Sequence, residues 1–119
     1  MLNVFTAMGR LTKDPEIKTT QSGKSVTTFT VAVDRDFDRG KADFFPCVAW
    51  NRLADVAGRY LKKGQLVVVT GAMQSREWED RNGIARTMWE VNLTNVYFTE
   101  AKKQEESPFS DLDDEEAPF

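Results

Sequence analysis

The chain has 119 residues, enough for a single domain with a modest core. It has no histidine and one cysteine, which excludes Ser-His and Cys-His nucleophile systems, a Cys/His zinc site and any disulfide within the chain, so neither an enzyme nor a metal or other cofactor is expected. The formal net charge of −3 divides unevenly, with 14 Lys/Arg against 12 Asp/Glu in residues 1–100 (+2) and 2 against 7 in residues 101–119 (−5), so a mildly basic body carries a strongly acidic tail and remains open to a polyanionic partner.

In chain order, Val4 to Met8 predicts a first strand, and Gly9 allows a bend or bulge after it. This strand follows Met1 directly in place of a signal sequence, no apolar run reaches membrane-spanning length, and the lone Cys47 fits a reducing compartment; a soluble, cytoplasmic protein is expected. Asp14-Pro15 and Ser22-Gly23 punctuate a loop. Val26 to Val33 is rich in β-branched residues and predicts a second strand with Phe29, Val31 and Val33 on one face. A short charged turn, Asp34 to Lys41, leads to a third strand, Asp43 to Trp50, in which Pro46 requires an edge, a bulge or an unpaired amide.

Asn51 is expected to cap a helix from Arg52 to Leu61, with Leu53, Val56, Ala57, Tyr60 and Leu61 forming an apolar stripe. Lys62 and Lys63 complement its C-terminal dipole, and Gly64 can supply a left-handed cap. Leu66 to Trp78 predicts a fourth strand that can kink at Gly71, and the Asn82-Gly83 turn leads to a fifth, Ile84 to Phe98. Five strands with one helix between the third and fourth make an all-β OB-fold, a Greek-key barrel over residues 1–100.

Alternation along the third strand points Phe45, Cys47 and Ala49 one way and Phe44, Pro46, Val48 and Trp50 the other. With the compact set in the core, large rings are left outward, and Trp78 falls on a polar parity two residues from Arg76. Outward rings interleaved with cations are what a single-strand binder needs, since every base offers a stackable face and every nucleotide a phosphate. Arg10, Lys13, Arg35, Arg52, Lys62, Lys63, Arg76 and Arg86 are the candidate phosphate contacts, of collective value. Simple alternation puts Phe37 on the core side, and Trp89 shares parity with Val91 and Leu93, which assigns it to core or interface.

Residues 101–110 predict a short flexible linker, and residues 111–119 a disordered acidic tip. There Asp113, Asp114, Glu115 and Glu116 precede Pro118-Phe119, a stiffened ring beside a terminal carboxylate that a small cation-flanked pocket on a partner can grip.

Three stretches together resemble the bacterial single-stranded DNA-binding proteins: Gly-Arg-Leu-Thr-Lys-Asp-Pro-Glu from Gly9, Leu-Ala-Asp-Val-Ala-Gly-Arg-Tyr-Leu-Lys-Lys-Gly from Leu53, and Trp78 after Arg76. The acidic tail ending in Pro118-Phe119 matches as well. The resemblance implies four base-stacking positions, Phe37, Phe44, Trp50 and Trp78, and so moves Phe37 out of the core. It further implies a homotetramer of OB domains, and a tail tip that docks onto replication, recombination and repair proteins. The short turn between strands 2 and 3, phenylalanine at two stacking positions and the brief linker depart from the family pattern; a phage, plasmid or secondary chromosomal version fits such a compact chain. An RNA-binding OB domain, a protein-only OB scaffold and, more remotely, an enzyme with a carboxylate pair or metal are the other readings.

Overall fold

The β-branched run around Val26 to Val33 lies within a ten-residue strand in the computed structural model of the chain, which describes residues 1–99. The predicted linker and acidic tip lie outside the described residues. The elements in order are β1 (Phe5–Leu11), β2 (Glu16–Thr19), β3 (Ser25–Asp34), β4 (Ala42–Trp50), α1 (Asn51–Tyr60), β5 (Leu66–Glu79) and β6 (Ala85–Phe98). The hydrogen-bonded order is β1-β5-β6-β4-β3-β2, and β1 also pairs with β3 at Arg10 and Leu11, which closes the sheet into a five-stranded barrel. This is the OB-fold, with its helix between β4 and β5. All neighbours are antiparallel except β4 and β6, a parallel contact at Cys47↔Val91 and Val48↔Asn92.

The core follows the alternation. Phe29 and Val31 from β3, Cys47 and Ala49 from β4, Val67 and Val69 from β5, and Val91 and Leu93 from β6 are buried together. Each fully buried valine contributes about 1.5–3 kcal/mol by leaving water. Burial also pushes the Cys47 thiol up to about 12, so at neutral pH it is a small apolar filler, not a nucleophile. At one margin of this core the Phe5 and Phe45 rings meet at 4.9 Å, tilted by 57°.

β2 is a strand where the sequence predicted loop. All four of its side chains are exposed, so it carries no inward apolar pattern; it exists because β3 offers it an edge, Ile17 pairing with Thr27 and Lys18 with Val26. Gly58 lets the helix come down onto it, since a Cβ there would lie 2.5 Å from Ile17 Cδ1. The helix is further tied to β3 by the buried Thr27 hydroxyl, which donates to Ala54 O at 2.7 Å.

Asn51 does not cap the helix. Trp50 occupies the cap position in an extended conformation with no side-chain cap bond, because β4 runs directly into α1. Asn51 makes the reversal instead, at φ 54, a left-handed value that asparagine tolerates better than most residues. Gly64 is left-handed as well, φ 83, but it lies beyond the end of the helix in the turn closed by Gln65 N–H to Lys62 O at 3.1 Å. The predicted kink at Gly71 is a shift in β5–β6 register between Thr70 and Gly71.

Pro46 lacks an amide where β4 needs none. Thr12 N–H donates to Thr30 O, so Thr30 turns its polar groups away from β4, and its partner Pro46 turns its nitrogen away from β3. On that side the β6 ladder holds Cys47 and Val48 only.

Candidate nucleic-acid interface

Register fixes which side chains share the outer face. Across β3 and β4, Val26 lies opposite Trp50, Thr28 opposite Val48, Thr30 opposite Pro46 and Ala32 opposite Phe44. Val48 pairs with Asn92 of β6, which puts Glu90, Met88 and Arg86 on the same side, and across β5 these lie opposite Gln74, Arg76 and Trp78. Phe44, Trp50 and Trp78 therefore belong to one continuous face. They are 61, 41 and 49% exposed, too much for core residues.

Between β2 and the β5–β6 hairpin this face sinks into an open groove of about 710 Å³. Trp50 and Val48 lie in it, with Lys13, Lys18 and Arg76 among its cations and Glu16 and Glu90 among its acids. Beyond Gln74 and Glu90 the two strands leave the barrel as an arm with every residue from Gln74 to Glu79 exposed. The arm is closed at its tip by Asp80, whose carboxylate accepts the Asn82 and Ile84 amides at 2.9 and 3.0 Å and the Arg86 guanidinium at 2.8 Å. These bonds, the Ile84 amide foremost, hold the Asp80 carboxyl below the usual carboxylate range.

Phe37 is 99% exposed in the turn between β3 and β4. Alternation placed it in the core because it ignores where the strand stops: β3 ends at Asp34, and Phe37 has no strand face at all. Trp89 is 57% exposed and is not a core residue. It has the inward parity of Val91 and Leu93, but it lies opposite Ser75 on the arm, past the end of the barrel, where inward no longer means buried.

The eight cations divide into groups. Arg10 Nη1 donates to Gly64 O at 2.9 Å and Lys63 N–H to Asp14 Oδ1 at 2.8 Å, so Arg10, Lys13, Lys62 and Lys63 gather where the β1–β2 and α1–β5 loops meet. Arg52 is exposed in the first turn of α1, two residues from Trp50. The other three are engaged by carboxylates: Arg35 by Asp43 and Asp38, Arg76 by Glu90 at 3.1 Å, and Arg86 by Asp80. Lys18, Met88 and Glu90 line the groove and escaped the sequence reading. Lys18 depended on recognising β2; Met88 and Glu90 share parity with Arg86, which was the available signal.

A model described as the single-strand binding protein family matches residues 2–99. "Single-stranded DNA-binding protein 1" of Staphylococcus aureus (strain COL) is 45% identical over 111 residues, covering 90% of this chain and 66% of that protein. "Single-stranded DNA-binding protein A" of Bacillus subtilis (strain 168) is 43% identical over 106 residues, 86% of this chain and 62% of that protein. The protein of the same kind from Caldanaerobacter subterraneus subsp. tengcongensis is 43% identical over 106 residues, 86% of this chain and 71% of its own length. The chain thus spans roughly two thirds of the length of these relatives.

Proposed function

The chain belongs to the single-strand binding protein family, and on that premise we propose that it binds single-stranded DNA without sequence preference and does no chemistry on it. The observation that carries the proposal is the exposed row of Phe44, Trp50 and Trp78 on one sheet face beside the groove cations. Bases stack on these rings and on Phe37, while Lys13, Lys62, Lys63, Arg10 and Arg52 meet phosphates. Covering unpaired strands in this way protects them during replication, recombination and repair.

Self-association to a homotetramer is part of the same proposal. In support, among the described residues β1 pairs with β3 only at Arg10 and Leu11, which leaves its edge without a described partner strand from Phe5 to Met8, and Met8 and Tyr97 are 54 and 50% exposed near it. The acidic tip through Phe119 is proposed to recruit replication and repair proteins, and the cytoplasm, at the nucleoid, is the proposed location. No described helix is long and apolar enough to cross a membrane.

The test is a titration of tryptophan fluorescence with oligo-dT of increasing length, against a matched RNA, with the oligomer's mass measured in parallel. Quenching that saturates at a defined length and resists the RNA supports the proposal. Unquenched fluorescence overturns it, and equal competition by RNA moves the reading to an RNA-binding domain.

A further inference from the structure

The turn that carries Phe37 is bridged from outside by the Arg35 side chain, with Lys41 Nζ also 3.9 Å from Asp38 Oδ2. Residues 34–41 contain three aspartates and three cations, and their ring, at 99% exposure, is placed by the backbone rather than by packing. Arg35 spans this turn. Its Nε and Nη2 donate to Asp43 at 3.1 and 2.9 Å, a two-pronged contact to the start of β4, and Nη1 reaches Asp38 Oδ2 at 3.4 Å, next to Phe37. Two backbone bonds complete the loop: Arg35 N–H to Lys41 O and Lys41 N–H to Asp38 O, both 3.1 Å, with Gly40 at φ 83 making the bend.

From this geometry we infer that Arg35 is a positioning residue for Phe37, clamping the β3–β4 turn through Asp43 and Asp38, and not a phosphate contact. The inference rests on the stacking role proposed for Phe37. Three chain points, 35, 38 and 43, are fixed on both sides of the ring by a rigid planar group whose donors match a carboxylate. The pairing is also felt by the charges: Asp43 holds the Arg35 guanidinium above its ordinary range, and Arg35 holds the Asp43 carboxyl below its own. With Nε and one donor each of Nη1 and Nη2 engaged and its charge facing two carboxylates, this guanidinium has less to offer a phosphate than an unpaired cation. The backbone of the turn is consequently ordered before DNA arrives, and binding has only the Phe37 side chain left to fix.

The clamp and the phosphate-contact alternatives predict opposite signs. Asp43→Asn removes a negative charge from a DNA-binding surface and releases an arginine, so a phosphate-contact role predicts tighter binding and a steeper salt dependence. The clamp predicts weaker binding, up to about fivefold, the most that an exposed ion pair holds, with the salt slope unchanged. Arg35→Lys keeps the charge but cannot make the two-pronged pairing, and the clamp predicts the same weakening.

The experiment measures oligo-dT affinity at several salt concentrations for Asp43→Asn, Arg35→Lys and Phe37→Ala, and for each of the first two combined with Phe37→Ala. Thermal melts control for folding. The expected result is a loss of affinity for each single variant and no further loss when Asp43→Asn or Arg35→Lys is added to Phe37→Ala. Tighter binding by Asp43→Asn, or undiminished binding by Arg35→Lys while Phe37→Ala is impaired, overturns the clamp and leaves the stacking role standing. Full affinity in Phe37→Ala overturns both.

Discussion

At the residue scale, energy and steering are carried by different side chains. One base stacked on an aromatic contributes about 1–3 kcal/mol by alanine substitution, whereas an exposed ion pair contributes about 0–1 kcal/mol. Trp50→Ala and Trp78→Ala are therefore each expected to weaken oligonucleotide binding by about 1–3 kcal/mol in a fluorescence titration, with the melting temperature nearly unchanged because both rings are exposed. The outward facing of Phe44 and Trp50 was readable from alternation, because β4 is paired with β3 along its whole length and keeps strict period two. Phe37 was not readable that way, and of the two places parity offered Trp89, core or interface, exposure excludes the core. Parity tells which side of a strand a residue occupies, and it does not tell where the strand ends or where the barrel beneath it runs out.

At the element scale, the β5–β6 hairpin is shaped by two backbone devices. The first is the register shift at Gly71, where a Cβ would collide with Asn92 O. Gly71→Ala is expected to cost about 1–3 kcal/mol of stability in denaturant unfolding, the usual range for forcing an atom into a filled space. The second is Asp80 at the arm's tip. Its folded pKa is depressed, so its stabilising contribution is complete above the unfolded value of about 3.9 and is lost as pH falls through the lower folded value. Amide exchange or tip chemical shifts should show the 80–84 turn loosening on acidification below about pH 4, and Asp80→Asn should abolish that dependence. The hairpin itself was announced by Asn82-Gly83. β2 was not announced, because a solvent-facing four-residue strand is made by its neighbour, not by its own pattern.

At the scale of the whole molecule, cations in the two halves of the surface differ in availability. Lys13, Lys62 and Lys63 form no ion pair among the described residues, whereas Arg76 and Arg86 are held by Glu90 and Asp80. Replacing the three lysines with glutamine should flatten the log–log salt dependence of binding by about 0.7 for each phosphate that is no longer neutralised, and replacing Arg76 and Arg86 should flatten it less. Measured slopes at a fixed oligonucleotide length decide this.

The β4–β6 ladder adds something to that picture. Two rungs, Cys47↔Val91 and Val48↔Asn92, join the half of the molecule bearing Phe44 and Trp50 to the half bearing Trp78. These rungs bridge chain positions more than forty residues apart, so each closes a long loop. The spacing between the ring sets is thus set where the ladder is short, and the groove resembles a caliper whose jaws are long ladders and whose pivot is two rungs wide.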